Sequence, residues 1–565
     1  MYQSLSIPSV VACLVQDVLR DAKWQILDES HPHYGAYFSA RSGLEEAGHG
    51  GTARFVMSCG LVLLVMERYP DALPPETPSQ ADLLHRMDIA LDYMHRAQRP
   101  SGLIDLRSTN YDSSPDTGFV VEQCCALTSV GRGSDVLVAP LAKIESFIRR
   151  AVPGLKIGGF HTPNHRWVIT AALSQARNLF DGLDVDDVIE SYIAEGFDAD
   201  EEGAYIERSV GIYDTVSNRG LLFFAENWDD PEKVQAALDA VDRNLDFDLH
   251  LLHADGTAET GLSRRQDYGT RTVPVGLITP LLQYNAMRPS PRYVRAAQWF
   301  WEQASSEQVY DSSWLIYCLL KYGTPQPSSA DLPLDFVRYY PKNQIWRVRK
   351  GDLSASVFGG VTRLMTLTYG EVELTSIKIS QTYFGVGHFI AETMSSDGDS
   401  VTLHSSGVQK LHKPGYELPL GRPVDPDTWD DTFKERDIYE IPPAESTLTV
   451  TAVEGGFDFH FRTLAGLDQV PVQIAFDFPL GGYWETADTA LKAQPGQVIF
   501  LKQGEGELRF GDDLVRIGPG AEGHRYYDMR HAEPVPADNV RILITFITPV
   551  DHHFSLRLSS GLGSN

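Results

Sequence analysis

Asn164 and His165 follow directly on Thr162-Pro163, and that order of residue types says what they can reach. Thr162 can cap a helix, and Pro163 suits its first position because that nitrogen has no intrahelical partner to lose. The helix then runs through Trp167, Ile169, Ala172, Leu173 and Ala176. Asn164 and His165 therefore fall in its first turn, beside unsatisfied backbone amides that favour an anion such as a carboxylate. A second polar cluster, Tyr205-Ile-Glu207-Arg208-Ser-Val-Gly-Ile-Tyr213, leads into a helix with Val216, Gly220, Phe223 and Phe224 as apolar positions. Asp214 or Ser217 can cap it, with Tyr213 just before the start.

Two more clusters lie in the same half. The stretch Asp105 to Gly118, with Asn110 and Asp116, reads as a polar loop feeding a helix at Phe119. Ser263-Arg264-Arg265-Gln266-Asp267 sets two arginines side by side, a pair able to clamp a carboxylate in bidentate fashion. The same arginines fit equally well as surface residues or partners of structural acids. Metal and phosphate motifs are poor: there is no His-Glu-x-x-His, no Cys-x-x-Cys and no phosphate loop. His31 and His33, and His552 and His553, are close in sequence but have no third ligand at matching spacing, so no metal site is expected. No Gly-x-Ser-x-Gly elbow points to a serine hydrolase.

These residues need a scaffold, and the chain changes character once. Up to about residue 325 the apolar residues recur at helical spacing, as in Ser9 to Trp24, Thr52 to Tyr69, Gln80 to Ala97 and Pro291 to Ala304. Helices joined by polar loops, with no strand run between them, predict an all-α layer over 1–325; periodicity does not choose between ring and bundle. Residues 326–342, rich in Pro and Ser at the outset, read as a linker. From 343 to 565 short alternating runs such as Glu371 to Ser380, Phe457 to Arg462 and Val540 to Ile547 predict an antiparallel β-sandwich.

At 565 residues the chain is long enough for two or three domains. Its 48 basic and 76 acidic side chains give a formal charge of -28, which argues against nucleic acid as a partner. An anionic ligand then needs a local cationic pocket. Five cysteines, mostly in apolar runs, read as buried free thiols. No run approaches the roughly 18 apolar residues that cross a bilayer. The N-terminus lacks the basic start of a signal peptide, so a cytoplasmic protein without membrane association is expected.

Asn164-His165-Arg166-Trp167, followed by Asp-Glu-Glu-Gly-Ala-Tyr205-Ile-Glu207-Arg-Ser-Val-Gly-Ile-Tyr213, resembles the paired signature of heparinase II/III-like polysaccharide lyases. The resemblance implies an α+β multidomain chain: an N-terminal incomplete (α/α) toroid followed by a C-terminal antiparallel β-sandwich, the two forming the walls of a cleft. It implies β-elimination on a uronic-acid-containing glycan without a cofactor. Asn164 and His165 would neutralise the carboxylate and stabilise the charge that develops on it. Tyr213 would be base, acid or both. A tyrosine base needs a cationic neighbour or a helix N-terminus, and Arg208, Arg219 or Arg166 are the cations considered. A histidine from the sandwich completes the site in relatives. His388 is the candidate here, with His404 and His412 as rivals and Tyr416 as a further donor. Arg166, Glu207, Arg208, Arg219, Arg264, Arg265, Asn110 and Tyr416 are the expected substrate-binding residues. A glycoside hydrolase using two of Asp116, Glu207 and Asp267, or a carbohydrate-binding protein, are the competing readings. Oligomeric state is not legible.

Overall fold

A computed structural model describes residues 4–304, 312–383, 387–408, 414–530, 532 and 534–561. The chain divides into two compact units, residues 1–252 with 256–332, and 253–255 with 333–565.

The first unit is a double layer of helices. Thr52–Arg68, Ser114–Gly131, Pro163–Leu179, Tyr213–Glu226 and Ser312–Tyr322 are buried over most of their length. Gln80–Ala97, Pro231–His250 and Pro291–Gln303, which come between them in the chain, bury one stripe and leave the other face to solvent. Ser114–Gly131 packs on Pro163–Leu179, which packs on Tyr213–Glu226; Ser312–Tyr322 packs back on the first helix, Ile7–Asp21. One close approach depends on a missing side chain. A Cβ on Gly220 would sit 2.8 Å from the carbonyl oxygen of Trp167, so the helices carrying Tyr213 and His165 touch backbone to backbone there.

Strands are present in this half, contrary to expectation. Tyr37–Ser39 pairs with Leu44–Glu46, and Ile104–Leu106 pairs with Asn110–Ser113. Both are too short to leave an alternating pattern, and the second turns the polar Asp105 stretch into a hairpin.

The second unit holds a nine-stranded and an eight-stranded sheet. Its first strand, Asp335–Tyr340, lies inside the stretch read as linker and pairs with Ile345–Lys350. The Pro-rich run just before it masks the alternation. One apolar cluster draws on both sheets, with Val348, Leu367 and Ile474 from the smaller and Leu403, Phe459 and Leu556 from the larger. Among the described strands pairing is antiparallel except where Val498–Phe500 runs parallel to Asn539–Ile547, and an isolated parallel bridge joins Glu522 to Thr545. The chain's last strand, Asp551–Ser560, lies between Gly456–Thr463 and Asp513–Gly518 in the middle of the larger sheet.

Candidate active site

Thr162 is the N-cap of the helix Pro163–Leu179, with Pro163 at the first position. Its hydroxyl does not bond a helix amide. It accepts instead from Asn164 Nδ2 at 3.1 Å. The same amide faces Glu207, 2.9 Å from Oε1 and 2.8 Å from Oε2. A carboxylate can only accept when ionised, so the group facing it is the amide nitrogen. Asn164 is fully buried.

Tyr213 is itself the first residue of the helix Tyr213–Glu226, with Ile212 as N-cap in place of the expected Asp214 or Ser217. Ser209 serves this start. Its hydroxyl accepts from the Tyr213 amide at 3.2 Å and its carbonyl from the Asp214 amide at 3.0 Å. Asp214 turns back to accept from the Ser209 amide at 3.1 Å. It is buried beside Asp248, and burial pushes its carboxyl up to about 7. The loop before Tyr213 is pinned by Asp267, which accepts from Ser209 Oγ at 2.9 Å and from the Gly211 amide at 3.1 Å. A Cβ at Gly211 would stand 2.8 Å from Asp267 Oδ2, so a side chain there would push on the carboxylate that holds the loop.

These two helix starts open on a cavity of about 820 Å³ within the first unit. Tyr213, His165, Asn110, Asp116, Arg219 and Arg265 all line it. Asn164, Glu207, Arg166, Arg208 and Arg264 are not among its lining residues. Each of these has another role or place. Arg166 pairs with Glu195 at 2.8 Å and Asp198 at 3.4 Å, fastening the loop that Trp167 also reaches through its indole nitrogen. Burial, and then the charge of Arg264, hold Arg208 below the ordinary arginine range. Arg264 is exposed while Arg265 turns inward, so the adjacent arginines diverge and do not form one clamp.

Arg265 is the cation at Tyr213. Its guanidinium carbon lies 4.3 Å from the centroid of the tyrosine ring, and its Nε lies 3.4 Å from Glu207 Oε1. None of the three arginines considered from sequence holds that place. Arg219 is paired with buried Glu122 at 2.8 Å and stacks on Trp314, 4.3 Å from that ring's centroid. The result is a relay of contacts, Asn164 to Glu207 to Arg265 to Tyr213, that fixes a positive charge against the phenol.

His165 is 8% exposed, and burial, followed by the charge of neighbouring His161, pushes its imidazole down to about 4. It is therefore neutral at pH 7 and can donate or accept. Its Nδ1 is buried and has no hydrogen-bond partner among the described residues. The ring stands edge-on to His161, with centroids 4.6 Å apart. His49 lines the same cavity, stacked on Phe119 at 4.2 Å and likewise pushed down to about 4 by burial. Sequence reasoning missed His49, Arg54, Glu122 and Trp314. His49 sits in a Gly-His-Gly-Gly stretch without periodicity, and Glu122 inside a helix that reads as plain core.

Of the three acids that a hydrolase reading would use, Asp116 alone lines the cavity. Its Oδ2 accepts from Asn110 Nδ2 at 3.0 Å and from the Ser113 hydroxyl. In the second unit, His404 is held by Glu445 at 2.8 Å, His388 forms an isolated bridge with Ser380, and Tyr416 is exposed on the small sheet Gly415–Glu417 with Ile438–Glu440. His412 lies outside the described residues.

No family model matches the chain, and no curated protein matches it. Solved structures do. A chondroitin AC lyase from Streptomyces coelicolor A3, in complex with chondroitin sulphate, superposes with a TM-score of 0.52 at 12% identity, covering 98% of this chain and 79% of that one. The fold is that of polysaccharide lyases. A mutant heparan sulfate lyase from Pedobacter heparinus gives a TM-score of 0.51 at 10% identity over 90% of this chain and 76% of its own. A xanthan lyase from Paenibacillus gives 0.54 at 10% identity over 98% of this chain and 57% of its own.

Proposed function

We propose that this protein is a polysaccharide lyase that cleaves a uronic-acid-containing oligosaccharide by β-elimination. The observation that carries the reading is Tyr213 on the cavity wall with Arg265 stacked against its ring and neutral His165 on the same cavity. The likeness in fold to lyases of chondroitin, heparan sulfate and xanthan supports it. On this reading the double helical layer is an incomplete (α/α) toroid and the two sheets of the second unit a β-sandwich. A cytoplasmic setting would favour short oligosaccharides over long polymers.

The chemistry divides as follows. The uronate carboxylate is held by His165 and the cavity's cations, so that charge moving onto it is stabilised. Tyr213 takes the proton from the carbon beside the carboxylate. Arg265, stacked on the ring, faces the negative charge of the phenolate that performs this step, and the step leaves Tyr213 a neutral phenol. The bond to the glycosidic oxygen breaks, that oxygen leaves with the proton Tyr213 has just taken up, and a carbon–carbon double bond remains. Asn164 and Glu207 act as positioning residues through Arg265 and not as direct ligands of the carboxylate.

The test is incubation with glucuronate, galacturonate, mannuronate and guluronate oligosaccharides while following the ultraviolet absorbance of an unsaturated uronate. Tyr213→Phe is expected to lower turnover by about 10²–10⁴-fold, the usual worth of a positioned proton-transfer group. Reducing ends that appear without the absorbance would instead mean hydrolysis, and unchanged turnover in Tyr213→Phe would remove the base.

A further inference from the structure

The outer face of the larger sheet carries a histidine pair that neighbouring positions in the sequence do not reveal. His552 and His553 are adjacent, and side chains on a strand alternate between faces. His552 bonds the Pro519 carbonyl and packs on Phe546. His553 points the other way, where the register of Asp551–Ser560 against Gly456–Thr463 sets it directly opposite His460. Two residues back on the same strand and face is Asp551, opposite Arg462. Residues 91 and 93 positions apart in sequence are thus brought to one spot.

The geometry of that spot is specific. The two imidazoles are stacked with centroids 3.8 Å apart and planes within 11°. His460 Nε2 lies 2.7 Å from Asp551 Oδ1, while Oδ2 of the same carboxylate lies 3.3 Å from Arg462 Nε. One ligand atom from each of His460, Asp551 and His553 can be chosen so that all lie within 4.8 Å of one another. Ligands of a tetrahedral ion with bonds of about 2.0–2.2 Å lie roughly 3.3–3.6 Å apart, so a small turn of these partly exposed rings closes the set.

We propose that His460, Asp551 and His553 form a binding site for a divalent transition-metal ion of the zinc type. Two imidazole nitrogens and one carboxylate oxygen are the donor set such an ion prefers, and they leave a fourth position for water. Calcium and magnesium prefer more oxygen donors than the three residues offer. Arg462 holds the carboxylate oxygen that faces away from His460, an outer contact that orients the ligand. Register secures the arrangement from the opposite face: Phe459, Phe461 and Phe554 are buried there, with Phe459 and Phe554 stacked at 4.6 Å. A slip of one residue would expose all three, so the ligands cannot drift apart without dismantling the core.

The site is tested on the full-length, untagged protein after treatment with a chelator, by equilibrium dialysis against Zn²⁺ with metal quantitation and by the visible spectrum of the Co²⁺ form. One equivalent of zinc is expected, with a four-coordinate cobalt spectrum and no comparable calcium uptake. Loss of an outer partner of a metal site costs about 10–100-fold in affinity, so His553→Ala is expected to cost at least the upper end of that range. His460→Ala/His553→Ala should abolish uptake while leaving the circular dichroism unchanged. Zinc uptake that persists in the double variant, or absence of uptake by the parent protein, overturns the proposal. Because lyase turnover is not the readout, the result stands apart from the assignment of Tyr213.

Discussion

At the residue level the decisive contrast is between Arg264 and Arg265, identical and adjacent yet turned to different surroundings. Arg265 faces the Tyr213 ring and is steered by Glu207, whose carboxyl burial holds above its ordinary value while Asn164 and Arg265 pull it back. Arg265→Ala is expected to lower turnover by about 10²–10³-fold, the usual cost of removing one electrostatic stabiliser from a buried site. Arg264→Ala should leave both kcat and KM essentially unchanged, because its side chain is exposed and is not among those lining the cavity. Steady-state kinetics on the two variants measures the difference directly. Equal losses would mean that the arginines act as one clamp.

At the level of elements, the helix starts were legible because their chemistry is local: Thr162 and Pro163 announce a first turn to anyone reading four consecutive residues. The contacts that join the starts were not. Asn164 and Glu207 are 43 positions apart and Glu207 and Arg265 are 58, and no periodic signal specifies which buried amide meets which carboxylate. The choice of Arg265 over its neighbour is made in a loop pinned by Asp267, again invisible to pattern. Gly220 is the element-scale counterpart. It reads as one more apolar position, yet it is where the helix of Tyr213 meets the backbone of the helix of His165. Gly220→Ala should cost about 1–3 kcal/mol through overpacking, despite alanine's higher helix propensity. It should also reduce turnover, by parting Tyr213 from His165. Chemical denaturation and the lyase assay on the same preparation check both.

Over the whole molecule the surplus of acidic charge hides two neutral histidines. In the folded protein His49 and His165 stay neutral down to about pH 4, whereas an unfolded histidine takes up a proton near pH 6.5. Between those values the unfolded chain binds more protons, so stability is full above about pH 6.5 and falls as pH drops toward 4. The slope is up to about 1.4 kcal/mol per pH unit for each group. Asp214 works in the opposite sense: its carboxyl keeps a proton up to about pH 7 and opposes part of the loss on acidification. The contribution of the histidines is therefore read as a difference. The fall in melting temperature from pH 7 to pH 5 should be smaller in His49→Gln/His165→Gln than in the parent, and an equal fall would mean that neither imidazole is held neutral by the fold.

The position of Asp551–Ser560 bears on how the molecule is made. This strand joins Gly456–Thr463 to Asp513–Gly518, both earlier in the sequence, so the nine-stranded sheet stays in two pieces until Asp551–Ser560 is in place. During synthesis both pieces present open backbone edges, the kind of surface that pairs with other chains. The sheet closes only when Asp551–Ser560 inserts between them, which makes the nascent protein dependent on whatever shields those edges until then.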